Sequence, residues 1–116
     1  VCPEGWRVPT AADWQALMDM LAGSDFGSQL AAQADLWEVG ALVTSPELGK
    51  MGFGALPAGA ANCYGNFSYR SAACFWTASE TDDGEAVSYT IESTSPLLNW
   101  EANVSKKQGR SVRCVR

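Results

Sequence analysis

Four cysteines placed at positions 2, 63, 74 and 114 constrain this chain more than any other feature, because two of them sit at its opposite ends and two lie close together. Four cysteines allow three pairings. The nested one, Cys2–Cys114 with Cys63–Cys74, is the expected arrangement, since a Gly65-Asn66 turn signal lies between the inner pair. In the loop-entropy view a clasp between the ends is worth about 4 to 5 kcal/mol and the smaller loop about 3. Structural disulfides imply an exported protein. The alternative is four buried free thiols in a cytosolic one. No Cys-x-x-Cys knuckle is present, which argues against zinc. The chain starts at Val1-Cys2 without a basic leader or an apolar signal stretch, and it reads as the mature C-terminal domain of a longer exported protein.

Composition then removes whole classes of function. The 116 residues suit one domain, residues 1–116, large enough for a proper apolar core. Net charge is −5, so there is no basic footprint for nucleic acid. No stretch of 18 apolar residues is present to span a bilayer. Histidine is absent, which takes away the commonest transition-metal ligand and the usual general base. No cofactor is indicated.

The order of elements is helices first, then strands. Thr10 is a good N-cap and Asp13 suits the first turn, while Trp14, Leu17, Met18 and Leu21 fall on one helical face and Gly23 can close the far end. A second helix is expected from about Asp25 to Gln33, with Gly27 as a weak point. Val39 to Gly54 reads as loop. Strands are expected at Phe53 to Leu56, Cys74 to Ser79, Ala86 to Ser93, Leu97 to Val104 and Arg110 to Arg116, with Asp82-Asp83-Gly84 as a hairpin turn. In the fourth of these, Leu98, Trp100, Ala102 and Val104 alternate with Leu97, Asn99, Glu101 and Asn103, which places Trp100 in the core. The class is α+β with a mostly antiparallel sheet.

Five ordered blocks carry a resemblance over nearly the whole chain. They are Cys2-Pro3-Glu4-Gly5-Trp6-Arg7-Val8-Pro9-Thr10 with Asp13-Trp14, Gly52-Phe53-Gly54-Ala55-Leu56-Pro57-Ala58-Gly59, Phe75-Trp76-Thr77-Ala78-Ser79-Glu80, and Ser111-Val112-Arg113-Cys114-Val115. Read in order, they resemble the Fibrobacter succinogenes major paralogous domain. That family is similar to the C-type-lectin-like fold, and Trp6 to Trp14 also resembles a segment of formylglycine-generating sulfatase-modifying enzymes. The resemblance implies two helices flanking a twisted antiparallel sheet, long loops, and termini lying close together. It also implies export to a bacterial cell surface, often as a lipoprotein or as the terminal domain of a surface protein. Trp6, Trp14 and Trp76 fall in shared blocks and are expected in the core, while Trp37 lies in an expanded connection, Ala34 to Leu48, and is left unassigned. Cysteines near positions 63 and 74 depart from the family pattern and read as a local staple on a loop.

Three kinds of function remain to be weighed. Catalysis of the sulfatase-modifying kind needs reactive thiols, and none is indicated here. Calcium-dependent sugar binding needs a converging set of carboxylates and amides. Asp82, Asp83 and Glu85 read more simply as a solvated hairpin tip, and no metal site is expected. The expected function is therefore a non-enzymatic, adhesin-like binding domain for an extracellular glycan or protein, at the end of a lipoprotein or pilus-type assembly. Its candidate site residues are Tyr64, Asn66, Phe67, Tyr69 and Arg70 on the loop, with Asn99, Glu101 and Asn103 on the polar strand face. The alternative is a structural module that self-assembles into a surface filament or layer. Two sequons, Asn66-Phe67-Ser68 and Asn103-Val104-Ser105, read as coincidence in a bacterial protein.

Overall fold

The computed structural model describes residues 1–62, 64 and 67–116. Helix α1 spans Ala11–Met20, α2 spans Phe26–Leu30 and α3 spans Ala41–Thr44, with a single 3-10 turn at Ala34–Leu36 between the last two. Strands β3 (Ala72–Asp82), β4 (Glu85–Glu92) and β5 (Leu98–Ser105) form an antiparallel sheet in that order. A small antiparallel pair, β1 (Ala60–Ala61) and β2 (Phe67–Ser68), stands beside it. The α+β class is as expected. No helix among the described residues is long and apolar enough to cross a membrane.

Helix α1 starts where its capping chemistry dictates. Thr10 Oγ1 accepts the Asp13 N–H at 3.1 Å, and Asp13 accepts the Thr10 N–H at 2.7 Å, a reciprocal box that satisfies two otherwise orphaned donors. Arg7 grips the same carboxylate with both terminal nitrogens. From this start Trp14 is carried into the core, stacked on Tyr89 of β4 with centroids 4.9 Å apart and tilted against Phe75 of β3 and Phe53. Such aromatic pairs add about 0.5–1.5 kcal/mol each beyond their buried area.

Helix α2 is shorter than its expected span, and Gly27 proves to be required within it. A Cβ there would run into the carbonyls of Pro96 and Leu97, and Ser28 N–H donates to Pro96 O at 3.1 Å. The helix thus lies flat against the turn that leads into β5. Ser28 Oγ donates to Leu42 O of α3 and Gln29 Nε2 to Ala22 O, both at 2.7 Å, so these buried polar side chains find backbone carbonyls as acceptors.

The connection from Ala34 to Leu48 has a structural role. Trp37 is only 2% exposed, with its indole N–H donating to Ala32 O at 3.0 Å, and Leu42 is fully buried. This segment completes the core against β4 and α2. The stretch expected as loop, Val39 to Gly54, therefore contains α3 and the core residue Leu42, and Trp37, unassigned from the sequence, is core just before it.

Two expected strands shrink to single bridges. Phe53 to Leu56 contributes only Ala55, bridged in parallel to Ala31, and the C-terminal stretch contributes Ser111 beside Phe75 and Val115 beside Arg7. In the first of these segments Gly54 sits at a φ of 79°, outside the extended range a ladder needs. The Arg7–Val115 bridge and the Cys2–Cys114 disulfide, with Cα atoms 5.8 Å apart, hold the two ends together as expected. Cys74, in contrast, is a buried free thiol on β3, so it does not form the staple expected of it, and Cys63 lies outside the described residues. Cys74 is paired with Thr90 of β4 and buried on the sheet face that carries Trp76.

Candidate functional site

Register assigns the two faces of the sheet. Phe75, Tyr89 and Trp100 form one cross-strand row and face the helices; Trp76, Ser88 and Glu101 form the neighbouring row on the opposite face. A bulge in β5 opposite Val87 shifts the pairing by one residue, so Val104 stands beside Ala86 and Asn103 adopts a left-handed φ of 59°. Strict alternation along β5 therefore fails. Asn99 and Glu101 share a face, but Asn103 does not join them, which corrects the expected polar trio.

The tryptophans also redistribute. Trp14 is core as expected, whereas Trp6 is exposed, with the Arg116 guanidinium over its ring, and Trp76 is half-buried beneath Arg110. Trp100 points to the helix side of the sheet yet is 60% exposed, because β5 is the edge strand and α1 stops short of covering it. A hollow of about 320 Å³ remains there, walled by Trp100, Tyr89, Val87 and Gln15.

The loop residues named from the sequence lie at the surface. Tyr64, Phe67 and Tyr69 are exposed, Phe67 to 64%. Asn66 lies outside the described residues. Arg70, also exposed, is fixed by its backbone: its N–H donates to Pro57 O and its carbonyl accepts from Glu38 N–H, both at 2.9 Å. Phe67 separates two hollows. One, of about 270 Å³, is lined by Ala60, Ala61, Asn62, Ser68 and Gln108 besides Phe67; the other, of about 290 Å³, by Ala58, Gly59, Gly109, Arg110 and Ser111. Gly59, at φ 78°, packs so closely on the Ser68 carbonyl that no Cβ would fit.

Arg110 links the loop to the sheet, and nothing in the sequence reading singled it out. Its side chain is only 8% exposed, and its Cζ lies 5.3 Å from the Trp76 ring centroid. Nη2 stands 3.9 Å from Glu101 Oε2, while Nη1 donates to Gln108 Oε1 at 2.6 Å. Since Trp76, Ser88 and Glu101 form one row across three strands, a side chain that reaches both ends crosses Ser88. A lone arginine beside a Gln-Gly pair carries no periodic signal, which is why it escaped notice. The structure thus connects Phe67 with Glu101 through Arg110, and leaves Asn103 aside.

The thiol chemistry is confined. Burial pushes the Cys74 thiol above its usual range, and Cys2 and Cys114 are joined. The described residues contain no cluster of three or more metal-ligating side chains.

No curated protein and no solved structure matches the chain. The family model of the Fibrobacter succinogenes major domain matches residues 1–116, the full length given, and the chain belongs to that family.

Proposed function

We propose that this chain is a non-enzymatic binding domain, displayed at a bacterial cell surface, which recognises a glycan or protein through the face centred on Phe67. The observation that carries this reading is the exposed Phe67 ring standing between two hollows, with Tyr64 and Tyr69 exposed nearby. Aromatic side chains with small polar neighbours supply contact area at low entropic cost and dominate many recognition surfaces. A rigid backbone supports the arrangement, since Arg70 is tied to Pro57 and Glu38. Export fits the Cys2–Cys114 bridge, which persists in oxidising surroundings. A C-type-lectin-like arrangement, with closed termini and loops displayed on one side, fits the clasp at Arg7 and Val115. An adhesive module at the end of a lipoprotein or pilus-type assembly is the setting such a domain suits.

The absence of catalysis belongs to the same proposal. Two of the cysteines are bonded to each other and Cys74 is a buried thiol pushed away from its nucleophilic form, so chemistry of the sulfatase-modifying kind has no reactive thiolate among the described residues.

The test is retention on arrays of glycans and of extracellular proteins by the wild type and by Phe67→Ala. Capture that the substitution abolishes is the expected result; capture unaffected by it overturns the site.

Self-assembly into a filament or layer is the second reading, favoured by the position of β5 at the sheet edge with Trp100 exposed on it. Free edges pair with other chains. The bulge at Asn103 and the charge of Glu101 oppose this, because both interrupt a flat apolar edge. A concentration series in light scattering separates the readings: constant mass favours the binding domain, rising mass the assembly module.

A further inference from the structure

We infer that the hollow between Phe67 and Arg110 takes a sugar acid, with the pyranose ring against Phe67 and its carboxylate received by the Arg110 guanidinium. This deepens the proposed function and rests on it.

The argument starts from the donors of Arg110. A guanidinium carries five N–H groups in a fixed fork and has no acceptor of its own. Here the side chain is nine-tenths buried over the Trp76 ring, yet among the described residues its guanidinium makes one hydrogen bond, to Gln108 at 2.6 Å, and approaches Glu101 only to 3.9 Å. Its Nε is buried without a partner, and so is Ser88 Oγ in the row that Arg110 crosses. Buried cationic donors without acceptors are costly, because their hydration is lost and nothing replaces it. Glu101 stands too far off to accept a hydrogen bond from the fork, so the guanidinium has no carboxylate at hydrogen-bond distance. A carboxylate is the group whose two oxygens match the fork.

The rest of the hollow selects what carries that carboxylate. At about 290 Å³ it lies at the small end of ligand sites, the scale of one sugar ring rather than of a folded partner. Its wall is the exposed Phe67 ring, an apolar plate for the C–H face of a pyranose. The remaining lining is largely the small residues Ala58, Gly59, Gly109 and Ser111, which leave backbone within reach of ring hydroxyls. An acidic peptide has no pyranose C–H face to lay on the exposed Phe67 ring, so the plate and the fork together favour a sugar acid.

The experiment measures binding of short oligogalacturonates by titration calorimetry, with their methyl esters, a neutral oligosaccharide series and an oligoglutamate as comparison ligands. The wild type is expected to bind the acid at least tenfold more tightly than the ester. Arg110→Lys should remove that preference while keeping the charge, and Phe67→Ala, at an exposed position that leaves the fold intact, should weaken acid binding at least tenfold. Equal binding of acid and ester, acid binding that neither substitution changes, or preference for oligoglutamate overturns the inference. If neutral sugars bind through Phe67 and the acid has no advantage, the inference fails and the adhesive reading stands. If neither the titrated ligands nor the arrayed glycans and proteins are bound, both fail.

Discussion

The guanidinium of Arg110 lies over the ring of Trp76, 5.3 Å from its centroid, and fixes the C-terminal segment across the open face of the sheet. Buried cation–π contacts are worth about 2 kcal/mol and exposed ones about 0.5–1. A double-mutant cycle of Arg110→Ala and Trp76→Leu, followed by urea denaturation, should therefore return a coupling energy of about 1–2 kcal/mol. Additive effects would mean that the two side chains merely lie near each other.

Asp13 gives the fold an acid-sensitive start to α1. Hydrogen bonding from Arg7, reinforced by the Thr10 backbone N–H, holds its carboxyl well below the usual carboxylate range. A folded-state value below the unfolded one stabilises the fold fully above the unfolded value, about pH 4, and this stabilisation is lost as pH falls below it. The stability difference between the wild type and Asp13→Asn should be constant from neutral pH to about pH 5 and should narrow in more acid solution. A difference that widened on acidification would reverse the assignment. Thr10→Ala, which removes the other half of the box, should cost about 1 kcal/mol.

Gly27→Ala tests the contact of α2 with the Pro96-Leu97 carbonyls. Helix propensity alone favours alanine by about 1 kcal/mol. The added methyl would overlap both carbonyls, so net destabilisation of about 1–3 kcal/mol is expected in chemical denaturation. A stabilised variant would show that helix and turn stand further apart.

Opening the Cys2–Cys114 bridge, which closes a span of 112 residues, should lower stability by about 4–5 kcal/mol. That is a large part of what a domain of this size has. Denaturation of the wild type and of Cys2→Ser with Cys114→Ser measures it. In the same samples, alkylation followed by mass spectrometry should label Cys74 only after unfolding, because its thiol is buried.

What the sequence revealed divides along a physical line. Local chemistry was readable: the Thr10 and Asp13 cap, the Asp82-Asp83-Gly84 turn and the pairing of the chain ends all rest on residues close in sequence or on a covalent link. Features decided by tertiary contact were not. Gly27 looked like a defect until the Pro96-Leu97 turn was placed against it, and Trp37 had no periodicity to announce that it fills the core. Trp100 alternates correctly with its neighbours, but alternation reports a face and not whether a helix covers it. The bulge before Val104 broke the phase of Asn103, and no glycine marks it. At the site, Phe67 and its neighbours were legible as aromatic residues near a turn, while Arg110 acquires meaning only when β3, β4 and β5 align Trp76, Ser88 and Glu101 beneath it.

The central claim is that recognition runs through Phe67. It is tested most directly by the dissociation constant for a ligand retained on the arrays, measured for the wild type, Phe67→Ala and Trp100→Ala. Both side chains are exposed, so both variants should keep their stability within about 0.5 kcal/mol. The account predicts that Phe67→Ala weakens binding tenfold or more and that Trp100→Ala leaves it unchanged; the opposite pattern would move the binding face to the edge of β5 and contradict it.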